Sequence, residues 1–198
     1  MDNRKQLERF IKKLDSMEHI KVSQIPNIDL YMDQVTTFME HCLGNNRRYE
    51  DDKVLTKTMI NNYTKNNLLP PPEKKKYSQN HLLLLIYIYY FKSFMSITDI
   101  ETILNPLTKH FWDNSEGPNL SEIYSEIFSH AKGQMSNLKK DIYRKYMISE
   151  DVFADLEPEQ REELQRFMFL CMLGFDIYLK KQMMEEIIDE MKTEEPKK

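Results

Sequence analysis
An all-α fold is predicted by three features of this 198-residue chain: only 4 glycines, as many as 13 methionines, and apolar residues that recur at helical spacing. Scarce glycine leaves few turns that demand positive φ. Straight-chain apolar side chains lose little rotamer freedom in a helix. With 40% hydrophobic and 30% charged residues, the chain has enough core for one large domain or two small ones.

The first helix follows from Leu7, Phe10, Ile11 and Leu14, which predict an amphipathic segment from Asn3 to about Met17. Pro26 ends the connector, and Asp29 is the expected N-cap of a second helix. Its stripe is Tyr31, Val35, Phe38, Met39 and Cys42, with Gly44 as the stop. After a polar loop over 45–52, Thr56 should cap a third helix that buries Met59, Ile60 and Tyr63, and Asn66-Asn67 should end it. Leu68-Leu69-Pro70-Pro71-Pro72 cannot continue it, because proline lacks the amide hydrogen and restricts its predecessor. Ser78 caps the next helix, whose run Leu82 to Phe91 is apolar nearly all round and belongs at the centre of a core. Ser96-Ile97-Thr98-Asp99 resembles a capping box and opens a short helix through Leu104.

Asn105-Pro106 and the turn cluster 113–118 place a domain boundary after residue 112, giving domains 1–112 and 113–198. In the second domain Ser121 should cap a long helix carrying Ile123, Ile127, Phe128, Met135, Leu138 and Ile142, with Gly133 weakening its middle. Glu157-Pro158-Glu159 starts another helix, with acids placed to suit its dipole. Leu164, Phe167, Met168, Cys171, Phe175, Tyr178 and Leu179 give that helix a wide apolar face. Residues 194–198 are expected to fray.

Several function classes find no support. Cys42 and Cys171 lack metal-site spacing and read as two buried thiols, with a single disulfide the alternative. The charged N-terminus has no signal-peptide core, and Leu82 to Phe91 is about half a membrane span, so a cytoplasmic protein without membrane contact is expected. His19, His41, His81, His110 and His130 are scattered. His41 and Cys42 point about 100° apart on a helix, which disfavours a nucleophile pair. Glu126 and His130 share a face at i, i+4, a spacing typical of a simple side-chain pair. Four glycines allow no phosphate-cradling loop. No catalytic residue, metal ligand or cofactor is therefore expected, and the chain reads as a non-enzyme.

Charge is more informative. The formal net value is −4, yet Lys53, Lys57, Lys65, Lys74, Lys75 and Lys76 face only Glu73 across one segment. With its apolar side buried, the third helix should present Lys57, Thr58, Asn61, Asn62 and Lys65 to solvent. Asparagine suits bidentate pairing with adenine in a major groove, and lysine suits guanine or phosphate. Lys74, Lys75 and Lys76 would add sequence-independent, salt-sensitive contacts to the backbone. The competing reading is a solvated helix face beside a lysine-rich loop.

The order of motifs from Leu55 to Leu104 resembles the DNA-binding domain of the MerR-type regulators. Those proteins have a Ser-x-Arg-Thr-Leu-Arg-Tyr-Tyr-Glu helix, Leu-Leu-x-Pro, a wing with Tyr-Arg-x-Tyr-Ser, and a Gly-Phe-Ser turn. Thr56 stands at the capping Ser and Tyr63 at the second Tyr. Leu68-Leu69-Pro70 matches Leu-Leu-x-Pro, Lys75 the wing Arg, Tyr77-Ser78 the Tyr-Ser pair, and Phe94-Met95-Ser96 lies near Gly-Phe-Ser. The two helix arginines are replaced by Thr58 and Asn61, the first tyrosine by Asn62, and the loop before Thr56 is longer. Through IPNIDLYMDQVTTFM and LTKTMINNYTKNNLLPPPEKKKYS the chain also closely resembles a bacterial family described as domain of unknown function 1836.

The resemblance implies a MerR-like winged-helix domain followed by a helical C-terminal domain, and a transcriptional regulator that binds double-stranded DNA. Paired half-sites would require a homodimer, with the C-terminal helices as its contacts. The alternative is a protein-interaction module that keeps the winged-helix shape without DNA, which the missing arginines favour. A small-molecule sensor with an unidentified effector is the third reading.

Overall fold
The computed structural model describes residues 3–15, 17, 19–112, 114 and 117–194. In chain order its elements are α1 (Asn3–Asp15), β1 (Leu30–Tyr31), α2 (Met32–Leu43), α3 (Lys57–Lys65), β2 (Lys76–Tyr77), α4 (Gln79–Phe91), α5 (Ile97–His110), α6 (Leu120–Ser129), α7 (Ala131–Glu150) and α8 (Pro158–Glu194). Helix accounts for 71% and strand for 3%, so the all-α class holds. Contacts divide the chain into two compact units: residues 19–128 with 188–198, and residues 1–18 with 129–187. Asn114, Gly117 and Pro118 of the turn cluster lie inside the first of these. Asp113, Ser115 and Glu116 of that cluster, and 195–198 of the expected tail, lie outside the described residues.

The larger unit is built around α4. Leu82 to Ile86 and Ile88 are completely buried and Tyr87 nearly so, at roughly 1.5–3 kcal/mol for each large side chain removed from water. A helix without a polar stripe needs neighbours on every side. On α2, Val35, Met39 and Leu43 form the buried row. That helix begins at Met32, not after Asp29: Leu30 and Tyr31 are extended to pair antiparallel with Tyr77 and Lys76. The Tyr31 N–H then donates to Gln34 Oε1 at 2.8 Å and closes the first turn.

Thr56 caps α3 as expected, its Oγ1 accepting the Met59 N–H at 3.2 Å. The helix ends where Asn67 turns left-handed (φ 57°), the Leu68 N–H reaching the Tyr63 carbonyl at 2.9 Å. Ile60 and Tyr63 are buried, but Met59 is 36% exposed because it lies about 100° from Ile60 around the helix. Ser96 Oγ accepts the Asp99 N–H at 3.1 Å and opens α5. This helix continues to His110 instead of ending at Leu104; Pro106 removes one backbone donor without breaking it. Near the end of α8, Ile188 is buried and Lys192 donates to Asp99 at 2.9 Å. The Ser96 and Lys192 hydrogen bonds hold the Asp99 carboxyl below its ordinary range.

The expected helix from Ser121 is two helices. Asn119 and Glu122 form the cap of α6, exchanging side-chain-to-backbone bonds of 3.0 Å, while Ser121 Oγ turns to Gln79 Oε1 at 3.1 Å. α6 stops at Ser129 and α7 starts at Ala131, with neither proline nor glycine at the break. Tyr124 donates to the Ile20 carbonyl at 2.7 Å and joins Tyr87 and Phe128 in an aromatic cluster. Burial pushes the Tyr87 hydroxyl up to about 12.

In the smaller unit α1 buries Leu7 and packs on α7, where Asp15 pairs with Lys139. The α7–α8 contact has three parts. Tyr146 meets the Phe169 ring edge-on at 5.7 Å, and buried Lys145 pairs with Asp141 and, at 2.6 Å, with Asp176. Gln165 donates to the Glu150 and Val152 carbonyls at 2.8 and 3.0 Å, satisfying the end of α7. Both cysteines are free thiols; Cys42 is half-buried, but Cys171 is exposed. Among the described residues no helix is long and apolar enough to cross a membrane.

Candidate nucleic-acid interface
The side of α3 opposite Ile60 and Tyr63 carries Lys57, Thr58, Asn61, Asn62 and Lys65, all exposed. At 100° per residue they span an arc of about 140°, and at 1.5 Å per residue the row from Lys57 to Lys65 is about 12 Å long. A B-form major groove about 12 Å wide admits an α-helix, whose diameter with side chains is about 10–12 Å. Inside, the row is fixed by the Thr56 cap, the buried pair and packing against α2.

Lys74 and Lys75 form a tight hairpin turn. Both have positive φ, 49° and 65°, and the Lys76 N–H donates to the Glu73 carbonyl at 2.9 Å. A two-residue turn with positive φ at both positions is normally filled by Asn-Gly or Asp-Gly. Lysine there costs about 1 kcal/mol per residue in backbone strain. Its presence raises the question of function, since conformational ease does not explain it. Lys76 follows in β2 and is half-buried, its ammonium 5.5 Å from the ring centre of its cross-strand partner Tyr31.

One carboxylate intrudes on the basic row. Asp33, in the first turn of α2, forms an ion pair with Lys57. Glu73 stands exposed beside the lysine turn. Farther along, Arg47 is held by Glu40 at 2.8 Å and by the Gly44 carbonyl, while Arg48 lies over the Tyr49 ring at 5.2 Å.

His81 anchors the junction behind the lysine turn. Its Nδ1 accepts the Ser78 N–H at 2.9 Å, forming the cap of α4, and its ring meets Tyr77 and Trp112 edge-on at 5.4 and 4.8 Å. Nε2 is buried without a well-formed hydrogen bond. Burial lowers the His81 pKa, opposed by the Pro71 and Pro70 carbonyls and Asp29.

All eight residues singled out from the sequence thus lie in the larger unit, five on one helix face and two at one turn, with Lys76 beside it. Sequence reasoning missed Tyr31 and Asp33. Its spacing puts Tyr31 on the apolar stripe of a helix, but it lies on a strand and is exposed. A two-residue strand is too short to show alternation.

No curated protein and no solved structure matches the chain. Residues 20–127 match the model of the family described as Domain of unknown function (DUF1836), and because that is more than half of the chain, the protein belongs to this family.

Proposed function
We propose that the protein is a DNA-binding transcriptional regulator of the MerR-like winged-helix type, acting in the cytoplasm. In this reading α3 enters the major groove, and the hairpin at Lys74 and Lys75 contacts the phosphate backbone as a short wing. The observation that carries it is the exposed row Lys57, Thr58, Asn61, Asn62 and Lys65 on one helix, with two strained lysines on a turn of the same unit. Asn61 lies near the middle of the row and is the natural base reader. Lys76, stacked on Tyr31, extends the backbone contact.

Fluorescence anisotropy with random and genomic duplexes at low salt tests this reading. Replacing Lys74, Lys75 and Lys76 together with Ala should weaken binding to all sequences and flatten its salt dependence. Asn61→Ala should instead cost about 1–3 kcal/mol of discrimination between sequences. No binding at tens of micromolar protein would sink the reading.

The Asp33–Lys57 ion pair favours a second reading, a protein-interaction module of the same shape. A carboxylate at the start of α2 would face phosphates if that end of the helix approached a duplex. A module that binds a protein partner and not DNA would show no salt-dependent duplex binding in the same assay.

A further inference from the structure
Tyr31 links the two basic features of the larger unit. Across the two-stranded sheet it pairs with Lys76, which directly follows the Lys74-Lys75 turn. Two positions further along the chain, Asp33 forms its ion pair with Lys57 at the start of α3. Consecutive Cα atoms are about 3.8 Å apart, so the Cα atoms of Tyr31 and Asp33 are at most about 7.6 Å apart. Lys57, Asp33, Tyr31, Lys76 and the lysine turn therefore form an unbroken series of neighbours.

Within that series Tyr31 alone is aromatic and neutral. Leu30 before it is buried, and the alternation of a strand turns Tyr31 outward, where it is 54% exposed. A ring at the surface forgoes much of the burial that normally stabilises an aromatic side chain. The Lys76 ammonium lies 5.5 Å from its ring centre, a contact that needs a ring but no hydroxyl. Elsewhere tyrosine hydroxyls are used within the chain: Tyr124 donates to the Ile20 carbonyl and Tyr146 to Glu150. The Tyr31 hydroxyl has no such acceptor among the described residues. A phenol O–H is a good donor to a phosphate oxygen, and the ammonium beside it suits the same anion. The charge of Asp33 is matched by Lys57, so this stretch does not present a bare carboxylate at that point.

We propose that Tyr31 is a phosphate contact: its hydroxyl donates to a backbone phosphate oxygen of duplex DNA, with the Lys76 ammonium held beside it. The contact lies between the lysine turn and α3 and makes the two parts of the interface continuous. It rests on the duplex-binding reading above. Because the donor is neutral, it strengthens binding without releasing a counterion, which separates it from every lysine nearby.

Fluorescence anisotropy of the full chain with a random-sequence duplex, over a series of salt concentrations, tests it. Tyr31→Phe should weaken binding about tenfold, as loss of a hydrogen bond to a charged group does, and leave the salt dependence unchanged. Lys76→Gln should also weaken binding but reduce the salt dependence by about one counterion. Tyr31→Phe keeps the ring beside Lys76, so its helical content and urea midpoint should match those of the unaltered chain. If the unaltered chain binds and Tyr31→Phe binds equally well, this contact is overturned and the regulator reading stands. A Tyr31→Phe variant with a reduced salt dependence would also overturn it, since the loss would then belong to a displaced lysine. No binding by the unaltered chain at tens of micromolar protein would overturn both.

Discussion
α4 and α8 are both rich in large apolar residues, and the structure treats them in opposite ways. In α4 the eight consecutive side chains from His81 to Ile88 are buried. Between Pro158 and Ile187 of α8, only Gln165 is. Hydrophobicity of a segment therefore does not determine its burial; the number of surrounding elements does. The enclosed helix lies within residues 19–128, a unit nearly coincident with the family match over 20–127, whereas residues 129–187 lie beyond that match. The family is thus carried by the region with a closed core. The remaining unit has the large exposed surface.

The same kind of substitution should have unequal effects in these regions, and this is the largest difference expected. Leu85→Ala empties a fully enclosed site and should cost about 3 kcal/mol, as a truncated core leucine generally does. Leu170→Ala removes a mostly exposed side chain and should cost less than about 0.5 kcal/mol in the dilute monomer. Urea unfolding of the two variants at low protein concentration measures both. Equal losses would mean that the outer face of α8 is covered within one chain.

A smaller effect of opposite sign is expected at the lysine turn. Lys74→Asn with Lys75→Gly gives the turn the residues its geometry favours and should stabilise the larger unit by about 1–2 kcal/mol. The same double variant should bind duplex DNA more weakly if the hairpin contacts phosphates. Higher stability with unchanged duplex binding would remove the hairpin from the interface.

His81 should make the larger unit sensitive to acid. Its neutral Nδ1 is the acceptor for Ser78, and burial disfavours the imidazolium, so the folded pKa lies below the unfolded value of 6.5. The unfolded chain then binds the proton more readily. Stability contributed by His81 is complete above pH 6.5 and is lost as pH falls toward the folded pKa. Trp112, the only tryptophan, touches the His81 ring and should report this loss by fluorescence during urea unfolding at successive pH values. His81→Gln keeps an acceptor at the same helical position and should flatten the profile. A profile unchanged by that substitution would assign the acid sensitivity to other groups.

Much of the larger unit was legible because its signals are local. Thr56 and Ser96 cap through bonds to residues three positions away, and the continuous run from Leu82 has one sensible location. What was not legible depends on distant partners. Asp29 looks like a cap until β1 is pulled into extended pairing by residues more than forty positions later. Pro106 reads as a stop, yet α5 absorbs the loss of one donor. The break at His130 has no sequence signal of its own. Periodicity found the outer stripe of α8, but it gives the spacing of a face and not its neighbours. At the candidate interface, helical periodicity placed five polar side chains opposite the apolar side of α3. The positive φ of Lys74 and Lys75 was hidden because lysine is not a residue that announces such a turn.

Asp33 should produce the smallest effect on stability and a diagnostic one on binding. Its ion pair with Lys57 joins two exposed side chains, and such pairs contribute between nothing and about 0.5 kcal/mol to folding. Asp33→Asn should therefore leave the urea midpoint almost unchanged. It removes a negative charge from the start of α2 and frees the ammonium of Lys57 at the first turn of α3. If α3 reads duplex DNA, a carboxylate is lost from the phosphate-facing side and one more lysine becomes available. Affinity should then rise several-fold, and the salt dependence should steepen by about one counterion. If the face instead meets a protein, Asp33 remains part of a polar surface and the substitution adds no salt-dependent duplex binding. Anisotropy titrations of both forms at two salt concentrations separate these cases: unchanged slope and affinity in the Asp33→Asn variant would count against Lys57 as a nucleic-acid contact while leaving the fold of the unit intact.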